Sequence, residues 1–487
     1  MFAEQSKGDP AIDRVGPLLY ARGGDGHRNR LAALVVRPES DEPAPLHVDD
    51  DGVAIEAQPI ATLFGVVVWR YDFSLPAAQP ASYRLGGERF EIMPPDDPNV
   101  RIAYVSCNGQ ENGDLDRDVG ERDAMWNRLV EEHARAPFAL MLQGGDQLYA
   151  DDVLTAHEAV RRWSKRPKRA RADIAFTEDA HEAVRHFYFR RYLTTLARPA
   201  MRTLAARVPS IMMWDDHDIF DGWGSHPEPL LDSPVGRGLF EAAREMFLLF
   251  QLAANDGAMP DIAFDASGRT LGVAVRYPGL SILAPDLRSE RRPDRVMGEA
   301  GWSGFERAMA ATPDGGRILL MSSVPALGPR LSWVEAIADI VPKIRELEDD
   351  LRDQWQSRSH RQEWQRFLRL LAVRQEEFRG RVIVVSGEIH LATRGEMRLK
   401  DGSRLHQLVA SGISHPAPRD FYPRMLGLLA RVGESPLPKR KIRLRPLPSK
   451  RAIYTGERNY LVLSRADAEW TAQWELEDSG RTPFLSL

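Results

Sequence analysis

The sequence predicts a layered α/β fold led by a small β-rich, sandwich-like unit, and three observations carry that prediction. Short apolar runs recur along the chain and stop abruptly in polar, chemically competent residues, the pattern of buried strands opening into loops. Stretches of helical spacing lie between these runs from Arg101 onward. Before residue 98 the apolar runs are short and β-prone, with Pro- and Asp-rich breaks between them.

In the N-terminal stretch, Leu31–Val36, Ala61–Trp69 and Ala81–Leu85 read as strands, and Pro38 to Pro45 reads as a break. Pro94-Pro95-Asp96-Asp97-Pro98 marks a boundary, dividing the chain into a β-rich unit (1–98) and an α/β unit (99–487). In the second unit, Ile102–Val105, Phe138–Leu142, Ile211–Met213, Leu280–Leu283, Arg317–Met321 and Val382–Val385 are strand cores. Asp123–His133 and Leu239–Leu252 have helical spacing, and Ile344, Leu347, Leu351 and Trp355 mark one face of another helix. Ser359-His360-Arg361-Gln362 has the form of a capping box, with Trp364, Phe367, Leu368 and Leu371 on the buried side of the helix it opens. These aromatic stripes read as core.

Composition excludes several classes. The 65 basic and 70 acidic side chains leave a net charge of −5, so no global field favours nucleic acid or a membrane surface. No apolar run approaches ~20 residues, so no transmembrane helix is expected. Met1 to Pro10 lacks a basic start and an apolar core, which points to a cytoplasmic protein, or a periplasmic or secreted one if a leader was removed. The one cysteine, Cys107, excludes an internal disulfide framework. Two basic runs, Arg161–Arg171 and Lys439–Arg445, are either solvated faces or local attractors of polyanions, nucleic acid included.

The most informative segment is Trp214-Asp215-Asp216-His217-Asp218, where a buried strand ends in three carboxylates around one imidazole. Carboxylates packed this closely raise one another's pKa unless a cation compensates them. The construction recurs at Ser106-Cys107-Asn108, at Gly145-Asp146-Gln147-Leu148-Tyr149 and at Ser386-Gly387-Glu388-Ile389-His390. Ligands gather beyond the carboxyl ends of strands in such folds, so these ends form a metal-ligand inventory. Cys107 is either a ligand thiolate or a small buried apolar residue. The oxygen-rich set suits Fe, Mn, Mg, Ca or Zn, and phenolate plus thiolate favour Fe³⁺. Two metals sharing Asp146 would hold a bridging hydroxide for in-line phosphoester displacement, with His217 protonating the leaving group. Arg288 and Arg291 either grip phosphate oxygens or form surface ion pairs with Asp286 or Glu290.

In these residues the chain resembles the PhoD-like family of metallophosphoesterases, distant relatives of purple acid phosphatases. That family's Ser-Cys, Gly-Asp-x-x-Tyr, Trp-Asp-Asp-His-Glu/Asp, Leu-Asp-x-Arg-x-x-Arg and Ser-Gly-Asp-x-His elements are matched in order by Ser106-Cys107, Gly145–Tyr149, Trp214–Asp218, Asp286–Arg291 and Ser386–His390. The resemblance implies a four-layer αββα sandwich and a dinuclear or multinuclear centre of Fe³⁺ with Ca²⁺. It implies Cys107, Asp146, Tyr149, Glu388 and His390 as ligands, either Asp216 or Asp221 as a further one, and His217 as the acid. Glu388 stands where the family usually has aspartate, one methylene shorter. The implied activity is hydrolysis of phosphomonoesters or phosphodiesters. The alternatives are a binding or regulatory protein on the same fold, or a processing enzyme for nucleic acid or another polyanion.

Overall fold

The computed structural model describes residues 12–49, 52–167, 171–328, 354–378, 381–387, 389–418, 421–431, 433–466 and 469–487. The N-terminal strands are β1 (Val15–Gly24), β2 (Arg28–Pro38), β3 (Leu46–Val48), β4 (Ala54–Ile55), β5 (Gln58–Leu63), β6 (Val66–Pro76), β7 (Ala81–Leu85) and β8 (Glu88–Ile92). Next come β9 (Arg101–Val105), β10 (Leu140–Gly144), β11 (Ser210–Met213), β12 (Val273–Tyr277), β13 (Leu280–Ala284) and β14 (Arg317–Ser322). The remainder are β15 (Arg381–Ser386), β16 (Thr393–Arg398), β17 (Arg404–Val409), β18 (Glu434–Leu437), β19 (Arg440–Arg445), β20 (Asn459–Ala466), β21 (Glu469–Leu476), β22 (Gly480–Arg481) and β23 (Leu485–Ser486).

Among the described residues these strands form a mixed α/β structure with sheets of eleven, eight and four strands. The largest runs β22-β21-β20-β9-β10-β11-β1-β2-β6-β5, with β23 on β21; the second runs β12-β13-β14-β15-β17-β16-β19-β18. Strands β9, β10 and β11 are mutually parallel, and so are β13, β14, β15 and β17. Parallel pairing brings the carboxyl ends of each set to one edge. One apolar core spans both large sheets, which meet where β1 faces β12 and β10 faces β14. The helices Glu178–Leu196 and Pro199–Ala205 pack on β1, Pro234–Leu252 on β11, and Arg361–Glu377 on β15 and β17.

The N-terminal strands are continuous with this framework. A second core fills the space between β1, β2 and β6 and the small sheet β4-β3-β7-β8, burying Leu19, Val35, Tyr71, Tyr83 and Phe90. The larger of the two layers does not end there, because β1 pairs in parallel with β11. An unpaired edge of β1 would expose a row of backbone donors and acceptors, and β11 supplies their partners. Hydrogen bonding therefore crosses the linker near residue 98.

Three local expectations change. The run Ala61–Trp69, read as one strand, is a hairpin turned at Phe64 and Gly65 (φ 52° and 82°), the two-residue turn whose twist suits antiparallel strands. The helix at Arg361 has His360 as its N-cap with no side-chain cap bond. Ser359 instead pairs with Ser357 at 2.9 Å. Ile344, Leu347 and Leu351 lie outside the described residues, while Trp355 is buried in a turn. Among the described residues, no helix is long and apolar enough to cross a membrane.

Candidate metal centre

Backbone bonds tie the loop beyond β9 to that beyond β10, the loop beyond β15 to that beyond β14, and, across the two large sheets, the loop beyond β17 to that beyond β9. Cys107 N–H donates to Gly145 O (3.2 Å), Asn108 N–H to Asp146 O (2.8 Å), Gly387 N–H to Ser323 O (3.2 Å) and His415 N–H to Cys107 O (3.1 Å). Glycine is required at two of these crossings. A Cβ at Gly145 (φ 104°) would sit 2.8 Å from Asp215 Cβ, and one at Gly387 would sit 2.2 Å from Ser106 Oγ.

Three of the residues marked by the sequence, Cys107, Asp146 and His390, hold left-handed backbone at φ 54°, 55° and 52°. Each costs of order 1 kcal/mol or more for a residue with a Cβ, and such strain gathers at functional sites. It turns the side chains of three strand ends into one crevice. Cys107 Sγ lies 3.4 Å from Asp146 Oδ2 and 3.2 Å from Ser411 Oγ, and Ser411 Oγ also accepts from His390 N–H at 2.8 Å. Ligand atoms of Asp146, Asp215 and Asp216 lie within 4.8 Å of one another, as do those of Asp216, His217 and Asp221, and those of Glu111, His390 and His415. Asp216 joins the first two groups, the linking place expected for Asp146. Asp221 is exposed, while Asp146 and Asp216 are buried. Glu388 lies outside the described residues.

Second contacts hold this geometry. Asp218 is buried and accepts from Asp146 N–H (2.9 Å), Asp215 N–H (2.9 Å), Leu148 N–H (3.1 Å) and Gln251 Nε2 (2.9 Å). Asp151 accepts from Asp221 N–H at 2.7 Å and pairs with His217 Nδ1 at 2.9 Å. The Tyr149 ring stacks on His217 at 4.3 Å. Arg288, fully buried, donates to Asp215 Oδ1 through Nε, lies 3.4 Å from Asp216 Oδ1 and donates to Trp223 O at 3.1 Å. The sequence set this guanidinium either on substrate or at the surface; it is set among the protein's own acids. Asp286 and Glu290, its expected surface partners, are engaged elsewhere: Asp286 accepts from Leu271 N–H (2.7 Å) and Trp214 Nε1 (2.9 Å), Glu290 from Gly301 N–H (2.7 Å). Arg291 is also fully buried, its chain lying over Gly224.

The electrostatics fit a cation. Burial, and then Asp215, pushes the Asp146 carboxyl well above its ordinary range. Burial likewise raises Cys107 and Tyr149, each next by the neighbouring anionic groups. Burial alone would lower His217, but Asp151 and Asp216 outweigh it and raise it well above the ordinary imidazole range. Asp146 Oδ1, Tyr149 Oη and His390 Nδ1 are buried with no hydrogen-bond partner among the described residues. Orphaned donor atoms of this kind cost stability unless something compensates them, and carboxylate, phenolate and imidazole are a metal-binding donor set.

Residues 81–347 match the family described as PhoD related phosphatase, more than half of the chain. The chain belongs to the PhoD-related phosphatase family. Among known proteins, an uncharacterized protein of Saccharomyces cerevisiae (YGR266W) is 26% identical over 413 residues, covering 70% of this chain and 58% of that protein. The chain thus spans little more than half the length of that relative. The solved structure of PhoD superposes with a TM-score of 0.59 at 11% identity, over 99% of this chain and 90% of that one, a likeness of fold.

Five residues of this candidate site were given no ligand or positioning role by the sequence: Glu111, Asp151, Asp215, Asp218 and His415. His415 carried a signal, since Leu408-Val409-Ala410 running into Ser411-Gly412-Ile413-Ser414-His415 repeats the strand-end construction. Glu111 lies in a turn and Asp151 opens a short 3-10 helix (Asp151–Thr155), neither with a periodicity to mark it.

Proposed function

We propose that the chain is a metal-dependent phosphoesterase, with Cys107, Asp146, Tyr149, Asp216, Glu388 and His390 holding Fe³⁺ together with Ca²⁺, and Asp221 at the rim. Mn²⁺, Mg²⁺ or Zn²⁺ would suit the oxygen-rich part of the same set. Three buried donor atoms with no hydrogen-bond partner among the described residues, Asp146 Oδ1, Tyr149 Oη and His390 Nδ1, support this reading most directly. Bound there, the cations would supply Lewis-acid polarisation of phosphoryl oxygens and a lowered water pKa. His217, oriented at Nδ1 by Asp151, keeps Nε2 for a proton to the leaving oxygen. Arg288 holds Asp215 and Asp216 in register, and it reaches phosphate together with Arg291 only by loosening those contacts. We read the architecture as the four-layer αββα sandwich of the family, with residues 1–98 as a leading unit joined to it through β1.

A second reading, a polyanionic substrate, draws on one surface. On β16, β17 and β19, exposed Arg398, Arg404, Lys441 and Arg443 lie with half-buried Arg394 and Arg445 around a single acid, Glu396. The test is hydrolysis of chromogenic phosphomonoesters, phosphodiesters and polyphosphorylated chains by metal-replete and chelated protein. The proposal predicts turnover that chelation abolishes. Activity indifferent to chelation, or none with full metal content, would overturn it. A steep fall of polymer affinity with added salt favours the second reading.

A further inference from the structure

We propose that the eight-stranded sheet carries a docking surface for a chain of repeating phosphates, as in inorganic polyphosphate or a nucleic-acid backbone, at the edge away from the metal centre. Cross-strand register defines the surface. Arg317 on β14 lies opposite Arg381 on β15, and Arg404 on β17 lies opposite Arg398 on β16. Ile383 pairs with His406, so two residues earlier Arg381 stands level with Arg404. Met397 pairs with Ile442, so Arg398 stands level with Lys441 on β19. Opposed residues share a face of the sheet, and the five cations therefore form one row across five neighbouring strands. At ~4.8 Å per strand the row is roughly 19 Å long.

Like charges set directly opposite one another destabilise a sheet, and the protein does not neutralise this row. Arg381, Arg398, Arg404 and Lys441 are exposed, while Arg317, at the inner end, lies 5.4 Å from the centre of the Trp470 ring. Among the described residues no carboxylate lies within ion-pair distance of Arg381, Arg398 or Lys441, and Arg404 reaches Glu396 at 3.4 Å. Glu396 sits in the next row, between His406 and Arg443. It is the one acid on this face of the five strands among the described residues, and Arg394 and Arg445 share it at 3.1 and 3.7 Å. The opposite face is built differently. Arg440, turned toward the helix Arg361–Glu377, has its own carboxylate, Glu376, at 2.7 Å.

A lone phosphate meets one or two of these cations, whereas a chain of phosphates meets the whole row, and the arginine fork matches phosphate oxygens. No exposed aromatic side chain stands in the row to stack a base, so backbone charge is what it recognises. Arg317, Arg381 and Arg404 begin β14, β15 and β17, while the candidate metal centre lies beyond the other ends of these strands. Along β15 that is roughly 17 Å, at ~3.3 Å per residue from Arg381 to Ser386. Docking at this edge goes beyond ester hydrolysis, since it needs neither metal nor turnover.

The full chain, in chelator so that no metal bridges to phosphate, is titrated with labelled long-chain inorganic polyphosphate and, separately, with single-stranded RNA. Fluorescence anisotropy over a salt series gives the affinities. Five contacts predict a slope of log K against log salt of roughly −3.5 with either polymer. Arg398→Gln combined with Lys441→Gln should make the slope shallower by about 1.4 and weaken binding about 25-fold at ~0.1 M salt. Glu396→Gln should tighten binding, and it reports on the surface with the opposite sign if the double variant misfolds. Arg161→Gln combined with Arg162→Gln, in the other basic run, should change neither quantity. Unchanged binding in both the double variant and Glu396→Gln would overturn the proposal. So would an equal loss in the Arg161 and Arg162 variant, or binding of RNA without binding of polyphosphate. Polymer bound as expected by a wild type that hydrolyses no phosphate ester would leave the docking surface standing and refute the phosphoesterase reading instead.

Discussion

Replacing Asp218 with alanine tests whether one buried carboxylate holds the strand ends of the candidate metal centre in place. The side chain accepts from the backbone N–H groups of Asp146, Asp215 and Leu148 and from the Gln251 amide. Alanine leaves three backbone donors without acceptors in the protein interior. At about 1–3 kcal/mol each, that is roughly 3–9 kcal/mol, and water entering the vacated space returns part, leaving about 3–5 kcal/mol. An unfolding entropy of ~2.1 cal/mol/K per residue over 487 residues is about 1 kcal/mol/K. A single cooperative transition should therefore drop by roughly 3–5 °C. Asp218→Asn should cost less, about 1–3 kcal/mol. Its remaining oxygen can serve Asp146 and Asp215 while Gln251 turns its own oxygen to meet the new amide, orphaning only Leu148 N–H. Scanning calorimetry of chelated protein measures both, and metal analysis follows the consequence, since Asp146 and Asp215 lose a common anchor. A shift below ~1 °C for alanine, or no difference between alanine and asparagine, would refute the reasoning.

Three further outcomes are expected. His217→Ala should lower phosphate-ester turnover by about 10²–10⁴ with metal content unchanged, and Asp151→Asn should move the alkaline limb of the pH profile to lower pH; a matching loss of metal would instead make His217 a ligand. Cys107→Ser and Tyr149→Phe should each weaken or shift a visible charge-transfer band if Fe³⁺ is held there, and a colourless, metal-replete wild type would remove the iron assignment. His133 is held at a pKa of about 4, below its ordinary 6.5, by burial first and then by Arg207 and Arg101. The unfolded chain takes that proton first, so this contribution to stability is full above pH 6.5 and is lost as pH falls toward 4. His133→Gln should flatten that acid limb in denaturant titrations, and an unchanged slope would show that other groups set it.

Much of the site was legible because its residues punctuate apolar runs. Cys107, Asp146, Tyr149, Asp216 and His390 each follow a strand core closely enough for local pattern to mark them, and they converge. Glu111 and Asp151 were not legible, since an acid in a turn or a one-turn helix without periodicity looks the same whether it faces water or a histidine. Arg288 was legible as important but not as buried, because its partners Asp215 and Asp216 lie about seventy positions upstream.

Chain order alone thus determined the alternation of strands and helices, the family motifs and most of the candidate donor residues, all legible within a few residues of one another. Only tertiary structure decided that β1 closes onto β11, that Asp216 links two carboxylate groups, and that His415 meets Glu111 beside His390. Such pairings depend on which edges and charges must be satisfied once water is excluded, and that cost is set by neighbours that folding alone brings together.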